Sequence, residues 1–382
     1  MCRVRGVISM AVGLVTCLTG AATAQAGGGE VAAQASVQCG DTITQSIRLT
    51  RDLECPGTPE PALRIAGEGV VLDLGGHTVR RTGSDTWASE GIAVMAGSTV
   101  KNGTIRGFGK GYVLYGGRNV WLSRLQFVNN GVGAHNYGFS TFTVTDSLFI
   151  GNTVGMGSEQ DASNGGFEVR STLFIDNQVA LGVNNAHTVN VDRSTFAFND
   201  VAVVCFYGTI SFTSSWILQN SAVASIPFFE GGYSQCAHAS FLDTVIARNA
   251  SFAPADEPVW KPFDFVLRRS QVRDNDSGIV VRTTTADVRS NTWQSNGGGL
   301  TLDEPLQFLQ PTLTGTVSDN RFLRNGGDGF RVTVASTLTV SRNVAVGNTG
   351  WGIHAPGVID GGGNVARGNG AGNCVGVVCT SP

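Results

Sequence analysis

The side chains best suited to chemistry gather in one stretch of the chain. His135 is the natural general acid or base near neutral pH, and Tyr115 and Tyr137 can give or take a proton during an elimination or epimerisation. Glu159 and Asp161 supply the pair of carboxylates that cleavage of a glycosidic bond requires. Around these five catalytic candidates stand residues fit to hold a ligand: Met95, Gly157, Gly182, Asn184, His187, Tyr207, Phe228, Glu230, Tyr233 and Trp260. His238 is expected in the same cluster of polar groups. No Cys-x-x-Cys pair exists and the histidines are scattered, so no metal site and no cofactor is expected.

A repeat positions these residues. Asn recurs at 130, 152, 177, 199, 220, 249, 275, 296, 325, 348 and 369, at spacings of 21 to 29 residues. Three positions before each Asn stands an apolar residue, among them Phe127, Phe149, Phe174, Phe196, Ile217 and Trp293. A unit this short fits strands joined by bends, and no unit can bury its apolar face alone. The chain is therefore read as all-β, a right-handed parallel β-helix of about 12 coils, with like residues stacked about 4.8 Å apart. The Asn column is expected to bond its amides along the stack, and the Phe column to fill the interior.

Strand alternation then assigns faces. Ile92, Val94, Tyr112, Leu114, Val154, Met156, Val201 and Val203 are expected inside. Ala93, Met95, Val113, Tyr115, Gly133, His135, Gly155, Gly157, Ala180, Gly182, Ala202 and Val204 are expected outside. Such a small, apolar outer row predicts a depression, walled by insertions at Ser158–Gly166, Ile226–His238, Pro254–Asp264 and Asp303–Pro311. The alternative is that these loops only cover an apolar face. In this register Tyr115 and His135 occupy the same phase of adjacent coils.

Composition limits the partners. Arg3 and Arg5, the apolar run Val7–Leu18 and Ala22-Thr23-Ala24 read as a secretory signal over residues 1–24. The mature chain then divides into a segment and cap over 25–66, the β-helix over 67–369 and a closing segment over 370–382. Removing the signal leaves 24 basic against 29 acidic side chains, a balance that argues against nucleic acid or an anionic membrane. No membrane span is expected, and the mature chain is read as a secreted, extracellular monomer. Local closure of its six cysteines favours Cys39–Cys55 and Cys374–Cys379, leaving Cys205–Cys236 as the remaining pair.

Both ends carry a resemblance. Cys39-Gly40-Asp41-Thr42-Ile43-Thr44, Asp52-Leu53-Glu54-Cys55-Pro56-Gly57 and Leu72-Asp73-Leu74-Gly75-Gly76-His77-Thr78 resemble a family of bacterial, largely actinobacterial, secreted β-helix repeat proteins. Asp360-Gly361-Gly362-Gly363-Asn364, with Cys374 to Cys379, is similar to the same family's closing segment. The resemblance implies the pectin-lyase-like fold and a structural role for His77. It fixes no reaction. The Asp-Asp and Gly-His-Gly motifs of polygalacturonase-like hydrolases are absent. Tyr137-Gly138-Phe139 is similar to the start of a mannuronan epimerase motif, but Ser140-Thr141 follows where Asp-Pro-His is expected. Between residues 131 and 240 the only cations are Arg170 and Arg193. The expected ligand is therefore a neutral or weakly charged glycan, handled by a lyase- or hydrolase-like protein. The alternatives are a non-catalytic binding or structural protein, and a cyclase or isomerase acting on a small apolar molecule.

Overall fold

A computed structural model describes residues 36–381 apart from 57–59, 85–86, 117–119, 138–139, 159–164, 185–186, 226–235, 255–258, 304–311 and 335. The described residues form strands and turns with no helix, wound into a parallel solenoid of about 13 turns. Each coil contributes to three sheets. In one coil these are Val179–Asn184, Thr188–Asp192 and Thr195–Ala197. The first sheet runs through nine strands, from Asp41–Ile43 to Ala222–Ser225. After single-residue bridges at Ser251 and Trp260 it resumes for five more, Ile279–Arg282 to Gly372–Val375. The second and third sheets are joined where the long strands Ser98–Arg106 and Val120–Val128 run through the bend between them.

Two sharp corners flank the third sheet. Each turns on one left-handed residue, such as Arg193 (φ 44°) and Phe198 (φ 60°), or Ser214 (φ 49°) and Gln219 (φ 56°). The residue after the second corner is the repeating Asn. From Asn130 to Asn348, each gives its Nδ2–H to the Oδ1 of the next Asn at 2.8–3.1 Å. That Oδ1 also accepts the backbone N–H of the Asn before it, as Asn199 does for Asn177 at 3.0 Å. The expected amide ladder is thus present, and it satisfies buried backbone at a bend where the sheet cannot. A second, interrupted ladder follows the first corner: Ser147 accepts the Leu125 N–H, a run joins Thr172, Ser194 and Ser215, and another runs from Thr244 through Ser270 to Asn291, Asn320, Asn343 and Asn364.

Inside, Phe127, Phe149, Phe174 and Phe196 stack with centroids 4.5, 4.8 and 4.6 Å apart, none reached by solvent. All three expected disulfides are present: Cys39–Cys55, Cys205–Cys236 and Cys374–Cys379. His77 places Nδ1 3.2 Å from Asp52 Oδ1, in a turn where Asp52 also accepts the Thr78 N–H.

The expected alternation of the first sheet fails in the first half of each strand. Gly133, Gly155, Ala180 and Ala202 face inward. Ala180 and Ala202 belong to the core, and a Cβ added to Gly133 or Gly155 would lie 2.8 or 3.0 Å from the ring of Phe149 or Phe174. Each is followed by another inward residue: Ala134, Met156, Leu181 and Val203. Val154 and Val201, expected inside, stand outside the core and are partly exposed. The chain leaves the Asn corner with two successive residues turned inward, so alternation begins one residue late. The small side chains there answer to crowding under the phenylalanine stack.

Candidate functional site

The outward face of the first sheet has three rows. Glu90, Lys110, Val132, Val154, Val179 and Val201 pair in succession along the first. Arg64, Ala93, Val113, His135, Gly157, Gly182 and Val204 make the second. Met95, Tyr115 and Tyr137 follow two residues further along their strands, and Asn184 and Phe206 occupy that phase in later coils. The coil partner of Tyr115 is therefore Tyr137 rather than His135, which aligns with Val113 and Gly157. The expected register set Gly133 against Val113, two residues from the pairing observed.

Tyr115 and Tyr137 stack face to face, with centroids 5.3 Å apart and planes at 6°. His135 packs against Tyr137 at 4.3 Å, and the Lys110 ammonium lies 4.9 Å from the centre of the same ring, in reach of its negative face. The Tyr115 hydroxyl donates to Glu90, a carboxylate only 9% exposed. Burial, and then the hydrogen bond to Glu90, hold the Tyr115 hydroxyl well above the usual tyrosine range; Arg64 opposes this weakly. Tyr115 thus remains a protonated donor at neutral pH. In reaching Glu90 it spans the row of Ala93 and Val113, which explains why both are buried although outside the core. Behind Glu90, a hollow of about 230 Å³ is lined by Cys39, Cys55, Glu60, Pro61 and Phe108.

The remaining candidates divide sharply. Met95 is 48% exposed beside Tyr115. Gly157 and Gly182 face outward, since a Cβ on either would meet nothing closer than 3.4 Å. Tyr207, 41% exposed at φ 51°, packs edge-on against Phe206 at 4.6 Å. Asn184 is turned to its own coil stack, donating Nδ2–H to the Ser158 carbonyl at 2.7 Å. His187 is not on the face. It is fully buried, with Nδ1 2.5 Å from the Asn184 carbonyl across a short turn. Trp260 is not on the face either. The chain re-enters the first-sheet column there, bridging to Val281, and the indole fills the interior against Phe252 (5.5 Å), Phe241 (6.0 Å) and Phe265 (6.1 Å). His238 points from the second sheet to Asp264, 3.8 Å away. Glu159, Asp161, Phe228, Glu230 and Tyr233 lie outside the described residues. Cys205 and Cys236 are both fully buried, so their bridge runs through the core beneath the face.

Sequence reasoning missed Arg64, Glu90, Lys110 and Phe206. The first three precede the first repeating Asn, where no column marks the register. Among the described residues no group of three or more His, Cys, Asp or Glu side chains could hold a metal ion, and no helix is long and apolar enough to cross a membrane.

Residues 213–369 match the family described as right handed beta helix region. No curated protein matches the chain. Among solved structures it is similar to the catalytic unit of a thermostable GH87 alpha-1,3-glucanase from Streptomyces thermodiastaticus strain HF3-3, at 16% identity and a TM-score of 0.47. That alignment covers 86% of this chain and 63% of the glucanase unit, so the chain spans less than two thirds of it. The chain's parallel ladders make the described residues a parallel β-solenoid, and over residues 213–369 it matches the right-handed β-helix family.

Proposed function

We propose that this is a secreted carbohydrate-active protein that takes a neutral or weakly charged glycan on the outward face of its first sheet. One observation carries the reading: the stacked pair Tyr115–Tyr137, of which Tyr115 is exposed and Tyr137 half-buried, with His135 packed on Tyr137 and the glycines Gly157 and Gly182 next in the row of His135. Aromatic rings give sugar rings an apolar platform, and the glycines leave room above the sheet. His135 adjoins Gly157 in the second row, and Lys110 lies over the ring of Tyr137. The three disulfides fit an oxidising, extracellular setting.

The chemistry of the face restricts the mechanism. Tyr115, bound to Glu90 and held protonated, does not serve as a base. Proton transfer falls to His135, with Glu159 and Asp161 as the carboxylates that the sequence offers. A second reading, binding without reaction, is favoured by the same Tyr115–Glu90 bond, which commits the Tyr115 hydroxyl and the Glu90 carboxylate to each other. A glycan panel, read for binding and for new reducing ends or unsaturated products, tests both. Tyr137→Ala and Gly157→Leu are expected to abolish binding. His135→Ala is expected to lower any turnover by about 10²–10⁴-fold with binding retained. Glycan bound equally well by Tyr137→Ala and Gly157→Leu would move the site off this face.

A further inference from the structure

The arginines of the C-terminal coils fall into two groups. At the corner before the third sheet, Arg269 and Arg342 work within the fold, each forked onto the aspartate of the previous coil, Asp243 or Asp319. At the corner after it, Arg248 and Arg324 are exposed and make no ion pair among the described residues. Arg321, facing out of the adjoining third-sheet strand, is likewise exposed and without a carboxylate among those residues. Both corner arginines hold a left-handed backbone (φ 59° and 52°), which Gly347 (φ 67°) adopts in the same column without the clash of a Cβ. The turn does not ask for arginine there, and no described carboxylate takes its charge.

The surface around them is basic. In one outward row of the third sheet Gln271 and Thr292 lead to Arg321; in the other Arg273 and Gln294 lead through Leu323 and Val346 to Arg367. Among the described residues no carboxylate faces out of these strands. Asp274, at the corner, is the one acid of the strip and is bonded to Arg273 at 2.8 Å, while Asp276 lies past the Asn corner. The strip thus holds five arginines against one aspartate, although the whole sequence is acidic, with a net charge of −3. The second sheet of the same coils shows the contrast: there Arg268 and Arg289 both bond Asp287.

We propose that this strip binds a linear anionic polysaccharide, whose sulfate or carboxylate groups are met by the arginine forks. Arg248 and Arg324 stand three coils apart, about 14 Å, and Arg273 and Arg367 four coils apart, about 19 Å. A single small anion cannot reach across this spread, whereas a chain charged along its length can. The strip has no aromatic side chain and so lacks the stacking platform that single-stranded nucleic acid uses. Gln271, Thr292, Gln294 and Ser295 instead offer donors and acceptors to hydroxyl groups. The strip lies on a different sheet from the tyrosine pair, so it does not depend on the glycan reading of that face. Its role is to hold the protein on an acidic matrix.

Three polymers with one backbone test this: dextran sulfate, carboxymethyl dextran and uncharged dextran. At low ionic strength the wild-type protein should bind one or both charged forms and not the uncharged one, with log affinity falling linearly as log salt rises. The better of the two charged forms identifies the anionic group. Arg248→Asn with Arg324→Asn, a residue type that tolerates the left-handed corner, should lower affinity by about tenfold or more and flatten the salt dependence. Arg106→Gln with Arg124→Asn removes the same charge near the other end of the stack and should change neither. Tyr137→Ala, on the first sheet, should also leave this binding intact. The proposal is overturned by a wild-type protein that binds neither charged dextran, by equal losses in the two double variants, or by loss of binding in Tyr137→Ala. Tighter binding to single-stranded DNA or to phosphatidylglycerol vesicles than to either charged dextran would overturn it as well.

Discussion

Two glycines in one strand give the sharpest test of how the first sheet faces. Gly155 and Gly157 are two residues apart, and strict alternation would put both on the same side. The structure separates them. A Cβ on Gly155 would lie 2.5 Å from the Ala180 carbonyl oxygen and 3.0 Å from the Phe174 ring, so backbone or stacked aromatics must move. Overpacking of this kind costs about 1–3 kcal/mol. A Cβ on Gly157 would lie 3.4 Å from the Val154 side chain and 4.0 Å from His135, ordinary contacts, and neither glycine has a left-handed φ. Gly157→Ala should therefore stay within about 0.5 kcal/mol of wild type or gain slightly, because alanine restricts the unfolded chain. The expected gap between the variants is roughly 2 kcal/mol, about thirtyfold in the folded-to-unfolded ratio. Paired thermal and denaturant unfolding, followed by circular dichroism, would measure it. Equal stability of the two variants, or greater damage from Gly157→Ala, would refute the inward slip and with it the placement of the glycan face.

Other consequences rest on single groups. Asn177→Ala removes an amide bonded to Asn152, Asn199 and the Phe149 carbonyl, and each buried group left unpaired costs about 1–3 kcal/mol; unfolding should show the loss while glycan binding persists. Arg269 and Arg342 clamp Asp243 and Asp319 through paired bonds of 2.7–2.8 Å, which hold both carboxyls below the ordinary aspartate value of 3.8. Carboxyls with lowered folded pKa values stabilise above the unfolded value and lose that contribution as pH falls through the folded one, so these corners should weaken below about pH 4. Arg269→Gln and Arg342→Gln together should flatten that part of a stability–pH profile. Tyr115→Phe should leave the tyrosinate absorbance of the native protein unchanged up to about pH 11, since Tyr115 does not ionise there; loss of a step near pH 10 would contradict the Glu90 bond.

The fold was legible because its signals are redundant. Eleven Asn residues and the apolar residue three positions earlier repeat through nearly two thirds of the sequence, and the ladder they form is the one their spacing predicts. Its companion ladder was not legible. There the column changes from Ser and Thr to Asn at Asn291, and the Ser hydroxyl and the Asn Oδ1 alike accept the backbone N–H of the preceding coil. The chemistry at a corner tolerates several residues, so identity does not repeat although geometry does.

The site was less legible for a different physical reason. Small residues in a strand can mean an open outer face or a crowded inner one, and periodicity of two does not say which. Gly133 and Gly155 are small because phenylalanines press on them, whereas a Cβ on Gly157 or Gly182 would meet only ordinary contacts. Only the two successive inward residues in each strand distinguish the cases; the residues after them, His135, Gly157 and Gly182 among them, keep the outward face that alternation gives. The polar partners were hidden by their place in the chain. Glu90 and Lys110 fall in the first outward row and Arg64 in the second, yet all come from coils that precede the first Asn of the column. A cation count confined to residues 131–240 therefore misses the lysine that lies on Tyr137, even though that tyrosine is within the range. In a solenoid, the neighbours of a residue are set one coil away, about twenty positions along the chain. The charges acting on any face must therefore be counted from the coils beyond both of its ends. With those coils included, the site is no uncharged groove but an aromatic strip bordered by Arg64 and Lys110, with Glu90 buried beside Tyr115.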